Sequence, residues 1–210
     1  MPKTAQPPLS GRRRQAARND RLILQAAREV FLANPAAPIG EVAKRAGVGV
    51  SALYSRYASK DELLRTLCRD GLQRFVEETE AALADDRNPW TAFGDYMRRL
   101  VDADTSSLTL ALAGRFTPTG EMFALAARAN RLSSELFERV KAELRPGIEV
   151  HDVSLVLEML ASIKLADRPR TEQLRRRHLA VILDGLRSQG REPLPGPPPT
   201  WQEINRRWET

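Results

Sequence analysis

The 210-residue chain holds one cysteine, Cys68, and two histidines, His151 and His178. A single thiol cannot close an internal disulfide, which excludes a disulfide-stapled scaffold. The histidines stand far apart and neither falls in an HExxH or HxxxH pattern, so no metal site is expected. GxGxxG, GxxxxGK[ST] and GxSxG are all missing, and with them the usual devices for dinucleotides, nucleotide phosphates and acyl transfer. No enzyme and no cofactor is expected. No apolar run approaches the roughly 18–20 residues of a membrane helix. The N-terminal stretch MPKTAQPPLSGRRRQAARND has basic residues but no apolar segment after them, unlike a secretory signal. Alternating β-branched runs are missing too, so no sheet is indicated. The expectation is a cytoplasmic, all-α protein that does not engage a membrane.

What is present is unevenly distributed. Residues 1–60 carry eleven Lys/Arg against three Asp/Glu, whereas residues 61–210 carry twenty-two against twenty-four. A basic front on a nearly neutral remainder fits a polyanion-binding module ahead of a body with another task, or else a solvated basic tail. The fourteen prolines also cluster. Pro2, Pro7 and Pro8 lie in the N-terminal arm, and Pro193, Pro195, Pro197, Pro198 and Pro199 lie in the tail. The others bound proline-free stretches that read as helices, with Asn88-Pro89 and Thr117-Pro118 as caps followed by first-turn prolines. Apolar stripes at helical spacing agree: Ile23, Ala27, Val30 and Phe31 in a first helix over about 18–33, Trp90 to Val101, and Met122 to Leu144.

The most informative segment is IGEVAKRAGVGVSALYSRYASKDELL, residues 39–64. A short helix over 39–45 turns Ile39, Val42 and Ala43 inward, Gly47 permits a tight turn, and Val48 plugs it. A second short helix over about 50–56 buries Leu53 and presents Val50, Ser51, Ala52, Ser55 and Arg56. Ser59 and Glu62 read as a capping box that opens a long helix to about Asp85. Short helix, glycine turn and short polar-faced helix suit entry of the second helix into a DNA major groove.

The motifs IL-AA--VF at 23–31, EVAKRAGVGVSALYSRY at 41–57 and SKDELL at 59–64 resemble the DNA-binding domain of the TetR family of transcriptional regulators. Beyond them only the helical layout is similar, including LDGL at 183–186. The resemblance implies a homodimer on a palindromic operator, and a ligand in the larger C-terminal domain that moves the helix starting at Lys60. One departure is Pro38, which stands where many members place a Thr or Ser that caps the second helix and touches phosphate.

Phosphate contacts position such a protein and base contacts specify sequence. Lys60, at a helix N-terminus, and Tyr54 are assigned to phosphate, whereas Tyr57 is assigned to the core. Lys44 and Arg45 either approach the DNA backbone or form a solvated face. Val50, Ser51, Ala52 and Ser55 face the bases, with Arg56 reaching guanine or phosphate. Arg12, Arg13 and Arg14 belong either to a minor-groove arm or to a solubilising tail. Cys68 reads as a small apolar residue packed against the first helix rather than a redox sensor.

In the body, Trp90, Phe93, Tyr96, Met97, Phe116, Met122, Phe123 and Met159 either line a ligand pocket, if the family layout holds, or form ordinary core. Arg98, Arg99, Asp102, Glu158 or His151 would give such a pocket a polar handle. The helices over 150–166 and 170–188 carry more apolar surface than one core needs, and Val156, Leu160, Leu179, Ile182, Gly185 and Leu186 are the candidates for a dimer face. Arg175, Arg176 and Arg177 read as a solvated face or as partners of acidic residues on the other subunit. In the tail, Trp201, Ile204 and Trp208 recur at helical spacing after a polyproline-like spacer, and that stripe docks on the body or on the other subunit.

The resulting organisation is a flexible basic arm over 1–17, a three-helix DNA-binding domain over 18–64, a helical effector-binding and dimerisation domain over 65–190 and a Pro-rich tail over 191–210, about nine helices in all. The leading function is a ligand-responsive repressor with operator DNA, a second copy of itself and a partly apolar small molecule as partners. The rival is a helix-turn-helix protein that organises DNA or binds a protein without an effector.

Overall fold

The computed structural model describes residues 11–187 and 193–208. Among them all regular structure is helical, with ten α-helices and two short 3-10 turns. None is long and apolar enough to cross a membrane. The chain divides into two compact units between Leu67 and Cys68, close to the boundary expected after residue 64.

The first unit contains α1 (Gly11–Ala33), α2 (Ile39–Ala46), α3 (Val50–Arg56) and the opening turns of α4 (Lys60–Leu83). Helix α1 begins about seven residues earlier than expected, so Arg12–Arg14 lie in a helix and not in a flexible arm. The reason is local: the residues that follow Gly11 are mostly Arg, Gln and Ala, all good helix formers. Residues 1–10 of the expected arm lie outside the described residues. Ile23, Ala27, Phe31, Val42, Ala43, Leu53 and Tyr57 form the buried core. Val30 is only half-buried, and Ala26 takes its place in the stripe.

Helix α2 stops at Gly47, whose φ of 68° is left-handed. Its N–H donates to Lys44 O (3.3 Å) and that of Val48 to Ala43 O (3.0 Å), which satisfies two of the last carbonyls of α2. Only glycine adopts this conformation without a Cβ penalty. At α4, Ser59 Oγ accepts from Glu62 N–H (3.1 Å), as the capping box requires. The return contact differs: Glu62 Oε2 accepts from Ala58 N–H (2.7 Å), one residue before the cap.

The second unit contains the rest of α4, α5 (Pro89–Ala103), α6 (Thr105–Leu112), α7 (Gly120–Val140), α8 (Val150–Ser162), α9 (Arg168–Arg187) and α10 (Trp201–Asn205), which runs into a 3-10 turn, Arg206–Trp208. Asn88 caps α5 as anticipated, accepting from Trp90 and Thr91 N–H. At the start of α7 the cap is Thr119 and not Thr117: Thr119 Oγ1 accepts from Met122 N–H (3.3 Å), leaving Pro118 outside the helix. Helix α6 accounts for the tenth element. No proline separates it from α5; the break falls at Asp104, the one described non-glycine residue with positive φ (51°). Phe93, Met97, Leu100, Leu136, Phe137, Leu160 and Leu179 are central to the core of this unit.

Helix α8 ends at Ser162, four residues short of its expected end, and the partner of its terminal carbonyls is Arg175 on α9. Arg175 Nε donates to Ile163 O (3.0 Å), Nη2 to Ala161 O (2.8 Å) and Nη1 to Asp104 Oδ1 (2.6 Å). Its side chain is 8% exposed, so it is not the solvated residue the sequence suggested. Arg176 pairs with Asp102 of its own chain (2.7 Å), and Arg177 is exposed. Arg175→Met is expected to lower stability by about 3 kcal/mol, because it removes three hydrogen bonds made by a buried guanidinium. Denaturant unfolding measures this, and a loss below about 1 kcal/mol would show that water replaces the guanidinium.

Candidate nucleic-acid interface and ligand cavity

On α3, Val50, Ser51, Ala52, Tyr54, Ser55 and Arg56 are all exposed, Val50 and Tyr54 nearly half so, while Leu53 is fully buried. The helix therefore points one residue into the domain and offers the rest outward. Two details change the expected chemistry. Ser55 Oγ donates to Ser51 O (2.9 Å) in its own helix, which leaves its lone pairs, but not its proton, for a base. Arg56 binds Asp20 of α1 through Nε (2.5 Å) and Nη2. The hydrogen bond and charge of Asp20 raise its pKa further.

The other expected cations are also placed unevenly. Lys44 is exposed on α2. Arg45 is paired with Glu29 of α1 (Nε to Oε2, 2.7 Å). Lys60 points back into the domain: Nζ donates to Ala37 O (2.7 Å) and Ala36 O (3.3 Å) and lies 5.2 Å from the centre of the Phe31 ring. It braces the loop between α1 and α2, a tertiary partnership that helix position alone does not disclose. Pro38 starts α2 with extended backbone and no side-chain cap. Lys60→Met is expected to lower stability by about 1.5 kcal/mol, the scale of a hydrogen bond to a charged group. Thermal or denaturant unfolding reads this, and an unchanged midpoint would return Lys60 to the list of free cations.

In the second unit, α4, α6, α7, α8 and the α10 segment surround a cavity of about 220 Å³. Cys68, Gly71, Leu72 and Phe75 come from α4, and Thr105, Ser106, Thr109 and Leu110 from α6. Met122, Phe123, Ala126, Ala129, Asn130 and Ser133 come from α7, and Ser154, Leu157 and Glu158 from α8. Trp201, Ile204, Asn205 and Trp208 close it. Of the eight pocket candidates from the sequence, only Met122 and Phe123 line it. Phe93, Tyr96 and Met97 are buried core, and Phe93 and Tyr96 border a separate void of about 20 Å³. Trp90 packs against the core, Phe116 lies behind Trp208 with ring centres 5.8 Å apart, and Met159 faces outward, 61% exposed. These residues share apolar chemistry, so spacing could not separate core from wall.

Among the polar candidates, Glu158 lines the cavity, whereas Arg98, Arg99 and Asp102 form ion pairs elsewhere, with Asp95, Glu78 and Arg176. His151 Nε2 meets Asn130 Oδ1 (3.1 Å). The sequence reading missed Thr105, a residue with no motif around it. It is buried, and its Oγ1 has no hydrogen-bond partner. Thr105 lines the cavity, but its Oγ1 is itself buried. Burial pushes the Cys68 thiol up to about 12, so it stays protonated and inert near neutral pH. Burial likewise raises Tyr96 to about 12, in keeping with a core phenol. Among the described residues no cluster of three or more His, Cys, Asp or Glu could hold a metal ion.

A glycine-turned helix pair with an outward-facing second helix, ahead of a larger helical unit with a partly open cavity, is the architecture of a helix-turn-helix transcriptional regulator. Residues 23–67 match the family model for bacterial regulatory proteins of the tetR family. The fold is similar to a TetR transcriptional regulator from Streptomyces coelicolor, at 25% identity over 82% of this chain and 99% of that one, with a TM-score of 0.56. It is similar also to a TetR regulatory protein from Mycobacterium vanbaalenii, at 27% identity over 84% and 99%, TM-score 0.55. The TetR-like regulator LfrR from Mycobacterium smegmatis, solved in complex with proflavine, shares the fold at 23% identity over 85% and 99%, TM-score 0.62. No curated protein sequence matches. Residues 23–67 thus form a DNA-binding domain of the TetR type, on a chain whose fold is that of TetR transcriptional regulators.

Proposed function

We propose that the protein is a ligand-responsive repressor that binds a palindromic operator as a homodimer and releases it when a small molecule enters the second unit. The observation that carries this reading is the cavity of about 220 Å³, mostly apolar with a few convergent polar groups, as small-molecule sites are. A solid body would favour the rival without an effector. Helix α4 supports a link between the two tasks, since Leu63, Leu64 and Leu67 are buried in the first unit and Cys68, Gly71, Leu72 and Phe75 line the cavity in the second. LfrR, a relative by fold, was solved with proflavine, which makes a planar aromatic cation a reasonable first compound to titrate.

On DNA, Tyr54 and Lys44 take the phosphate contacts, and Val50, Ser51, Ala52 and Ser55 meet the bases. Arg45 and Arg56 reach DNA only by leaving or sharing Glu29 and Asp20, and Lys60 acts by holding the domain in shape. The dimer face lies on the outer side of α8 and α9. Met159 (61% exposed) and Val181 (66%) are large apolar side chains turned outward, with exposed Gly185 on α9 close to Val181 in sequence. Val156 and Ile182 are half-buried and border this side, whereas Leu160, Leu179 and Leu186 are buried in the core behind it.

The test is binding of the whole chain to DNA fragments from beside its own gene, at two salt concentrations with competitor DNA. Tyr54→Ala is expected to cost at least tenfold in affinity. Lys44→Ala should reduce the log–log salt slope by about 0.9 per subunit, while Lys60→Met leaves that slope unchanged. No specific binding even at low salt, either to these fragments or in a genome-wide selection, would overturn the regulator reading. For the dimer, Val181→Glu should shift the mass seen by light scattering from two copies to one; an unchanged mass would move the interface elsewhere.

A further inference from the structure

The acidic side chains of the first unit are placed so as to restrain its arginines. Residues 1–60 contain three of them, Asp20, Glu29 and Glu41. Two hold the arginines of the α2–α3 pair, Glu29 on Arg45 and Asp20 on Arg56. The second of these pairs bears on the reading helix itself. Arg56 Nε donates to Asp20 Oδ1 (2.5 Å) and Nη2 to Oδ2, a parallel fork of the kind arginine also forms with guanine O6 and N7. The Arg56 side chain is 58% exposed, so DNA can approach it. Against an ionised carboxylate, however, the neutral edge of guanine is the weaker acceptor.

The rest of α3 has little to offer guanine. Its first turn, the part of a recognition helix that meets base edges, carries Val50, Ser51 and Ala52 outward, with Val50 46% exposed. In the major groove an apolar side chain finds its complement in the C5-methyl group of thymine, whereas guanine presents only acceptors. Ser55 cannot meet those acceptors. Its proton goes to Ser51 O (2.9 Å), which leaves Oγ to accept from the amino group of adenine or cytosine. Ser51 fits either kind of edge, because a hydroxyl turns to donate or accept. We propose that α3 reads thymine methyl groups through Val50 and Ala52 on an A·T-rich half-site, and that Asp20 sets this specificity by keeping Arg56 off guanine. The proposal rests on the DNA-binding reading above and adds to it which bases are read. Asp20 touches no base; it is a positioning residue that acts through Arg56.

The experiment selects binding sites for the full-length protein from a random duplex library and then measures affinities on single duplexes. The expected wild-type site places thymines under α3. Replacing one of them by uracil removes a methyl group and nothing else, and should weaken binding about fourfold per methyl, the scale of one buried carbon. In Val50→Ala that penalty should fall below about twofold at one thymine, a change that a general defect in DNA binding would not produce. Asp20→Asn keeps the shape of the carboxylate and removes its charge. Its selected site should gain a guanine at one base pair per half-site, preferred about tenfold over the wild-type base. Asp20→Glu should select the wild-type site, and Asp20→Asn/Arg56→Ala should lose the guanine. The uracil substitution leaves the protein untouched, so its result stands whatever a variant does to folding. Thymine and uracil bound equally would overturn the methyl reading. A wild-type guanine that depends on Arg56, or an Asp20→Asn site identical to the wild-type one, would overturn the role of Asp20. Specific binding with neither effect would sink the proposal and leave the regulator reading standing, whereas no specific binding would overturn both.

Discussion

A buried guanidinium organises the second unit. Arg175 joins two places where the chain changes direction: Asp104 between α5 and α6, and the carbonyls of Ala161 and Ile163 at the end of α8. A helix terminus leaves carbonyls that need partners, and a buried arginine needs acceptors; each requirement is met by the other. The consequence reaches the cavity, because α6 begins directly after Asp104 and carries Thr105, Ser106, Thr109 and Leu110 into its wall. Without a defined break at Asp104, those side chains would have no fixed direction.

The same economy of charge governs the DNA-binding unit. Its sequence is strongly basic, but the basic side chains are not equivalent. Glu29 holds Arg45, Asp20 holds Arg56, and the loop carbonyls of Ala36 and Ala37 hold Lys60. These pairs connect α2, α3 and α4 to α1 and to the loop after it, and so orient the helix that faces DNA. The exposed pairs among them, Arg45–Glu29 and Arg56–Asp20, are worth little in stability. Their effect is on which cation is ready for phosphate and which must first leave a partner. Lys44 stays exposed on α2, and α3 presents an apolar and hydroxyl-bearing face.

The residues that line the cavity are distributed along the chain in the opposite way. The cavity draws on five helical segments and no compact motif, and its aromatic surface comes partly from Trp201 and Trp208, more than a hundred residues from Phe75.

What the amino-acid sequence by itself determined was everything governed by neighbours within a few residues. The helices over 39–46 and 50–56, the left-handed turn at Gly47, the caps at Ser59 and Asn88, and the TetR motif all depend on local backbone sterics and on apolar spacing. Tertiary structure decided the rest. Lys60 looked like a phosphate ligand by its place in a helix, but its ammonium finds carbonyls twenty-three residues away. Arg175 looked solvated in a run of three arginines, but its acceptors lie on other helices. Phe93 and Met97 could not be told from cavity wall, nor Thr105 from an ordinary surface threonine, because an apolar or hydroxyl side chain carries no mark of what it will face. That is set only when helices distant in sequence pack together, and the space they leave unfilled becomes the site.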